Sequence, residues 1–529
     1  MKILICDPIS KTGVEYLRQQ PGLNVCVLEK RLSEAELIPI VSDVHAILVR
    51  SETKVTRAVM AAAPNLRVVG RAGVGVDNVD VEAATQRGVV VMNTPAGNTI
   101  STAELAFSMI MSLARKIPQA HMSMKGGQWD RKQFSGAELS GKTLGVLGMG
   151  RIGTQVARRA IAFGMRVLAY DPFLSVSKAR SLQVELLELG DLFAKSDYIT
   201  VHMPLTDETR NMINAETMLG MKKGVGIVNC ARGGIVNEID LVACIRSGHV
   251  GGAALDVYEQ EPLPADSPLR AVPEIVMTPH LGASTKEAQD SVGLEVAEAV
   301  TDFLNSGTVR NAVNMPSLDA KTMDQVRPYL SLGGKMGRLL AQLMPKRKDK
   351  IVITYGGKAT EVPTDPVTRS ILLGLLQPVG GSDVNMVNVR EKASGLGLIV
   401  EEIKKTEGAD YNEWLHIAVI SGEQRITAGG TFFGASMKPR IVRLYSQPVE
   451  IVPEGVLLVL TNKDRPGMVG YIGTLLGKHN VNIANMSLGR EQVGGEALTV
   501  LNLDSVPVDA FLSELRGDKD ISNVRVVTL

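Results

Sequence analysis

A chain of 529 residues is too long for one hydrophobic core, and at roughly 100 to 200 residues per domain it predicts three or four. With 57 Lys and Arg against 56 Asp and Glu the formal charge is +1, so no whole-chain field favours nucleic acid or an anionic membrane, and any anion site must be local. At 45% hydrophobic and 21% charged residues the chain is ordinary globular material rather than a disordered or fibrous one.

In chain order, KILICD, HAILVRS, LRVVGRAG and GVVVMNTP are short apolar strands separated by polar helical stretches. Residues 1–97 are therefore a βαβ series, which implies a parallel sheet. A long helix is predicted over 100–120, opened by Ser101 or Thr102 with Glu104 near its first turn, and a loop, KGGQWDRKQFSG, follows. Residues 142–280 repeat the alternation in KTLGVLGMG, MRVLAYDP, SDYITVHMP, GVGIVNCARGG, VGGAALDVY and EIVMTPH, each strand ending in a polar loop, as in a doubly wound sheet. A helix over 284–305 can cross back to the first unit. Beyond NMPSL the pattern changes to an amphipathic helix (LGGKMGRLLAQL), a basic stretch (PKRKDK) and mixed strands and helices without a second nucleotide fingerprint. SQPVEIVPEG, 446–455, reads as a linker, and the rest alternates as a small βαββαβ module. The fold class is α/β: two doubly wound Rossmann-like domains, an α+β domain and the βαββαβ module.

The four cysteines, Cys6, Cys26, Cys230 and Cys244, form no CxxC pair, and no Cys/His cluster has zinc-ligand spacing, so no metal is expected. MKILICDPIS meets Asp7 too early for a signal peptide, and no apolar run is long enough to span a bilayer. A reduced, cytoplasmic enzyme is the simplest reading.

In TLGVLGMGRIG a strand runs into Gly148, Gly150 and Gly153, spaced GxGxxG, with a helix directly after. The first glycine permits a tight turn, the second lets backbone approach a pyrophosphate, and the third lets helix pack on strand. The helix start, Arg151 and Ile152, attracts the anion, although Arg151 fits a solvated first turn equally well. The fingerprint alone is weak, but the next strand ends in Asp171, where a carboxylate would accept the adenosine ribose hydroxyls and repel a 2′-phosphate. The expected cofactor is NAD.

A dehydrogenase also needs a carboxylate anchor and a proton acceptor. Of seven histidines, His45, His121, His249, His416 and His479 have no partner pattern, and His202 follows a strand and can simply line the cofactor crevice. His280 ends EIVMTPH at the carboxyl edge of the sheet, Glu261 follows the preceding strand, and Arg232 follows another. A carboxylate beside imidazole fixes its tautomer, and a guanidinium fork holds a carboxylate. Singly, a core histidine, a capping acid and a surface ion pair explain these residues; three strand ends beside a dinucleotide fingerprint favour a site.

At these residues the chain resembles a known family. LGMGRIG, NCARGGIV, ALDVYEQEP and TPHLGAST are similar to the signatures of the D-isomer-specific 2-hydroxyacid dehydrogenases, over residues 1 to about 315. The resemblance implies that Arg232 binds substrate carboxylate and carbonyl, His280 is the acid/base and Glu261 pairs with it. It also implies that Cys230, Ala231, Asp256, Gly282 and Ala283, with Arg232 and His280, line the cofactor. The implied domains are a substrate domain of 1–97 with 288–315, an NAD domain of 98–287, an intervening regulatory domain of 318–452 and an ACT domain of 455–529.

Within the family, ILVRSETKVT, GRAGVGVDNVD and PHLGASTKEAQ look most like the branch that oxidises 3-phosphoglycerate to 3-phosphohydroxypyruvate, the first step of the phosphorylated serine pathway. Val74 and Gly75 amides would then meet the substrate carboxylate with Arg232, and Arg50, Lys54 and Arg71 the phosphate end, although plain surface charge also explains the last three. In the ACT-like segment Gly467 opens a helix, and Asn462, Asp464 and Asn482 would hold an amino acid, with L-serine the implied feedback inhibitor. A ligand shared between two copies implies a homo-oligomer, a dimer or tetramer. Lys438, Arg440 and Arg443 are candidates for a second anion site, which a solvated strand face explains nearly as well. The alternatives are a dehydrogenase for another D-2-hydroxy acid, such as glycerate or lactate, and an NAD-binding sensor or corepressor-like protein. The complete Arg, Glu and His set argues against the sensor, and the ACT-like segment and the cationic residues argue against another substrate.

Overall fold

Apolar runs of four residues or fewer are too short for buried helices and long enough to cross a small sheet. In the computed structural model, which describes residues 1–316, 318, 320–344, 348–406, 411–434, 436–490 and 492–529, they form the first of four sheets. Within the basic stretch PKRKDK, residues 345–347 lie outside the described residues. Strands β1 (Lys2–Ile5), β2 (Asn24–Val27), β3 (Ala46–Val49), β4 (Val68–Arg71) and β5 (Val90–Met92) pair in parallel in the order β2-β1-β3-β4-β5, with helix α1 (Lys11–Arg18) joining the first two.

The single helix expected over 100–120 is two, α2 (Thr99–Arg115) and α3 (Ile117–Lys125). Lys116 between them is left-handed at φ 50°, and Pro118 has no N–H to bond back to Ala114. The N-cap is Asn98, not Ser101 or Thr102. Those two hydroxyls lie inside the helix and donate to Gly282 O at 2.8 and 3.0 Å, tying α2 to the loop that carries His280.

The second sheet comprises β6 (Thr143–Leu147), β7 (Arg166–Tyr170), β8 (Glu185–Leu186), β9 (Tyr198–Val201), β10 (Val225–Asn229), β11 (Val250–Leu255) and β12 (Ile275–Met277), all parallel, in the order β12-β11-β10-β9-β6-β7-β8. The connections turn in opposite directions from β6, which opens a crevice at the carboxyl ends of β6 and β9, where doubly wound sheets bind ligands. EIVMTPH is not strand to its end: β12 stops at Met277, because Pro279 offers no N–H to a ladder and His280 takes a left-handed φ of 54°. After the second sheet, α4 (Lys286–Ser306) returns to the first. Its Val292, Val296, Val300 and Leu304 share one core with Ile3, Leu48, Val68 and Val90.

The third sheet is mixed: β13 (Lys350–Gly357), β14 (Ile399–Lys405), β15 (Glu413–Ser421), β16 (Gln424–Phe433), β17 (Lys438–Leu444) and β18 (Gln447–Ile451), in the order β14-β13-β15-β16-β17-β18. The stretch expected to be a linker contributes β18, whose Val449 and Ile451 point inward while Pro448 sits on an edge strand, where a missing N–H is tolerated. The fourth sheet, β19 (Val456–Lys463), β20 (Ile483–Arg490), β21 (Glu496–Leu503) and β22 (Ile521–Thr528), is antiparallel in the order β20-β21-β19-β22, with one helix after β19 and one after β21. Leu457, Val459, Leu498, Val500 and Val527 are buried in the same core as Leu332, Met336 and Leu340. The C-terminal module is thus fused to its neighbour by a continuous apolar face. No helix among the described residues is long and apolar enough to cross a membrane.

Candidate active site

The crevice is built first from glycines. Gly148 takes φ 92° at the end of β6, a turn that residues with a Cβ rarely make. Gly153 lies so close beneath it that an added Cβ would stand 2.0 Å from Gly148 O, whereas at Gly150 a Cβ would meet nothing within 4 Å. Packing therefore requires one glycine, and the other leaves open room beside the first amides of a 12-residue helix, Arg151–Ala162. Ile152 packs into the core beneath, and exposed Arg151 projects its charge toward Glu295 of α4. Asp171, after β7, accepts the amides of Met149 and Phe173 at 2.8 Å each, so its carboxylate is fixed at the rim. Open backbone room, a helix N-terminus and an acid at the second strand's end fit a dinucleotide. Gly153→Ala is expected to cost about 1–3 kcal/mol of stability through overpacking, seen as a lowered melting temperature. Gly150→Ala should leave melting unchanged and weaken NAD binding by fluorescence titration.

Arg232, Glu261 and His280 follow the adjacent strands β10, β11 and β12. Asn229, buried at the end of β10, builds the first turn: its amide donates to Arg232 O at 2.8 Å and its carbonyl accepts the Ala231 amide at 3.0 Å. Cys230 is buried with its sulfur 3.4 Å from that of Met109, and burial pushes the thiol well up, so it is no nucleophile. His280 Nδ1 stands 2.7 Å from Glu261 Oε2, and the other Glu261 oxygen accepts the Tyr258 amide at 3.1 Å. Burial pushes the Glu261 carboxyl up, but the bond and charge of His280, the Tyr258 amide and Arg232 outweigh it, and the net shift is downward.

Asp256 is fully buried and holds the loop that presents His280. It accepts the Thr278 hydroxyl at 2.6 Å and the amides of Leu281 and Gly282 at 2.7 and 2.9 Å, with burial still pushing its carboxyl up. From there Gly282 and Ala283 lead to α4. His202, in contrast, is half-buried with Nε2 3.0 Å from Thr200 Oγ1, and desolvation of the ring lowers it to about 3, so it stays neutral.

From the opposite side, the loop after β4 meets Arg232. Gly75 approaches so closely that a Cβ there would lie 2.1 Å from Arg232 Nη2, and Asp77 Oδ2 stands 3.3 Å from Arg232 Nε. Val74 O is anchored by the Asn93 amide at 2.6 Å. Arg71 is mostly buried, and burial, the nearby Arg232 and Arg50 lower it to about 10 against the opposing pull of Asp77 and Asp7. Its Nε is buried without a partner among the described residues. Arg50, Arg71 and Arg232 thus form one cationic cluster. Lys54 is exposed and is not brought into it. Asn229, which the sequence places at the turn into the crevice, builds that turn as expected, whereas Asp77 carries no motif signal and emerges only from the fold.

The residues singled out near the C-terminus are engaged one by one. Asn462 is buried and accepts the Thr499 hydroxyl at 2.7 Å, Asp464 accepts Gly494 N and Arg490, and Asn482 donates to Asp504 at 2.8 Å. Gly467 caps the following helix, Met468–Lys478, with φ 92°. In the third sheet Arg440 lies 3.6 Å from Glu450, Lys438 is exposed, and Arg443 stands near His416. No group of three or more His, Cys, Asp or Glu among the described residues could hold a metal ion.

Three family profiles match successive parts of the chain. They are described as D-isomer specific 2-hydroxyacid dehydrogenase, NAD binding domain (107–282), D-3-phosphoglycerate dehydrogenase intervening domain (325–445) and ACT domain (456–519). A protein of Archaeoglobus fulgidus named D-3-phosphoglycerate dehydrogenase is 44% identical over 517 residues, 97% of each chain. One of Synechocystis with the same name is 43% identical over all of this chain and 95% of its own. Among solved structures, an NAD-dependent formate dehydrogenase of Staphylococcus aureus in complex with NAD is similar at a TM-score of 0.55 and 31% identity, over 60% of this chain and 100% of its own.

Proposed function

The chain belongs to the D-3-phosphoglycerate dehydrogenase family, and from that premise we propose how its residues carry the reaction. It oxidises 3-phospho-D-glycerate to 3-phosphohydroxypyruvate with NAD, the first step of the phosphorylated route to L-serine. When bound along Gly148, Gly150 and Gly153, with Asp171 at the adenosine ribose, NAD supplies the hydride acceptor. Arg151, Ile152, Cys230, Ala231, Asp256, Gly282 and Ala283 belong to the walls and supports of that crevice. His280 takes the hydroxyl proton on Nε2, while Glu261 at Nδ1 fixes the tautomer and stabilises the imidazolium that forms. The Arg232 fork and the amides of Val74 and Gly75 hold the substrate carboxylate, which leaves Arg50 and Arg71 for the phosphate end. The observation that carries this reading is the 2.7 Å His280–Glu261 bond at strand ends adjacent to Arg232.

The proposed division is a substrate domain of 1–97 with 288–315, an NAD domain of 98–287, an intervening domain of 318–452 and an ACT domain of 455–529. The core shared by α4 and the first sheet supports the split substrate domain. L-Serine is proposed as the effector, at an ACT site near Asp464 and Asn482 completed by a second copy, so the enzyme would be a dimer or tetramer. Four free cysteines support a cytoplasmic setting.

Initial rates of NADH formation from 3-phosphoglycerate and NAD, with and without L-serine, test both ends of the chain. Turnover that serine depresses is the expected result. No turnover of 3-phosphoglycerate would overturn the enzymatic reading, and turnover indifferent to serine would overturn the effector alone.

A further inference from the structure

A cavity of about 300 Å³ opens at the carboxyl edge of the first sheet, between the β1–α1 connection, Arg50 after β3, Ala72 after β4 and the first turn of α4. Two cations line it, Arg50 and Lys286, together with Ser10 and one carboxylate, Asp290. Among the described residues neither cationic side chain makes an ion pair, although cations on protein surfaces are easily paired where no ligand needs them. Arg50 also adds to the field that lowers neighbouring Arg71. With two cations against the single carboxylate of Asp290, the cavity carries an excess of positive charge.

Its position relative to the reacting groups is set by the chain. Ala72 directly follows Arg71, which feels Arg232, and Lys286 lies six residues beyond His280, on the first turn of α4. A three-carbon substrate whose carboxylate sits on Arg232 and whose hydroxyl carbon faces His280 has one remaining carbon, and Arg50, assigned above to the phosphate that carbon carries, lines this cavity. Resting on the substrate reading above, we propose that Lys286 is a specificity-determining residue: it closes the cavity opposite Arg50 around the substrate's phosphate. A phosphate dianion draws charge-assisted hydrogen bonds from both cations, whereas an unphosphorylated 2-hydroxy acid leaves both facing water and gains nothing from them.

Lys286→Met keeps the length of the side chain and removes its charge on an exposed turn, so the fold is unaffected, and Lys286→Arg restores the charge. Initial rates are measured with 3-phosphoglycerate, alongside inhibition by inorganic phosphate and by D-glycerate. Lys286→Met is expected to raise KM for 3-phosphoglycerate about tenfold, the worth of one partly exposed charge-assisted contact, with kcat within about twofold. Inhibition by phosphate should weaken in parallel, inhibition by D-glycerate should not change, and Lys286→Arg should recover most of the loss. An unchanged KM for 3-phosphoglycerate, or an equal loss toward D-glycerate, would overturn the assignment of Lys286 while leaving the reaction in place. A wild-type enzyme inactive on 3-phosphoglycerate would overturn the reaction itself.

Discussion

His280→Asn is expected to bind NAD as the unchanged protein does and to turn over about a thousandfold more slowly, a typical share for one general acid–base group. The expectation follows from where the ring stands. It hangs from a loop, not a strand, and that loop is held by three bonds to the Asp256 carboxylate and by the Tyr258 hydroxyl donating to Thr278 O. None of those bonds involves the imidazole, so the substitution leaves the cofactor crevice intact. What it removes is the proposed acceptor for the hydroxyl proton, and Glu261 is then a carboxylate without its 2.7 Å partner. Asparagine tolerates the left-handed φ of 54° at this position better than most residues, which keeps backbone strain out of the comparison. Stopped-flow rates and NAD titration on the same preparation check both halves. Turnover near that of the unchanged protein would remove His280 from the chemistry.

The two parallel sheets were legible because buried parallel strands are continuous apolar runs, and HAILV or GVGIVN permits little else. The crevice was legible because its glycines and Asp171 occur at fixed distances along one βαβ unit. The break in the α2–α3 helix was also written in the sequence, at Pro118, but the helical pattern on either side concealed it. β18 was missed for the opposite reason: two prolines suggested a linker, and the alternation of Val449 and Ile451 was too short to outweigh them. Long-range facts were not legible. Ser101 and Thr102 look like caps and instead bond Gly282, about 180 residues away, because the fold brings that loop to them. Asp77 meets Arg232 across two sheets, and Lys286 joins Arg50 only once α4 has crossed back. The ACT-like segment gave its topology readily, yet the face it shares with Leu332 and Met336 requires a partner that its own pattern does not specify.

Arg232→Lys is expected to keep the charge and lose the fork, lowering kcat/KM about a hundredfold, or about 2.7 kcal/mol of transition-state stabilisation, for phosphorylated and unphosphorylated 2-hydroxy acids alike. The guanidinium is held at three points: Nη1 donates to Ala231 O at 2.7 Å, Nε faces Asp77 at 3.3 Å, and Gly75 closes over Nη2. A planar group fixed in this way presents its remaining N–H bonds in one direction, as a carboxylate requires, and an ammonium on a flexible stem cannot. The same substitution at Arg71, proposed with Arg50 for the phosphate end, should behave differently, and its loss should fall on the phosphorylated substrate. Steady-state kinetics of both variants on 3-phosphoglycerate and D-glycerate separate the two ends of the substrate. If Arg232→Lys impaired only the phosphorylated acid, Arg232 would hold the phosphate, and the carbon facing His280 would no longer be the one that bears the hydroxyl.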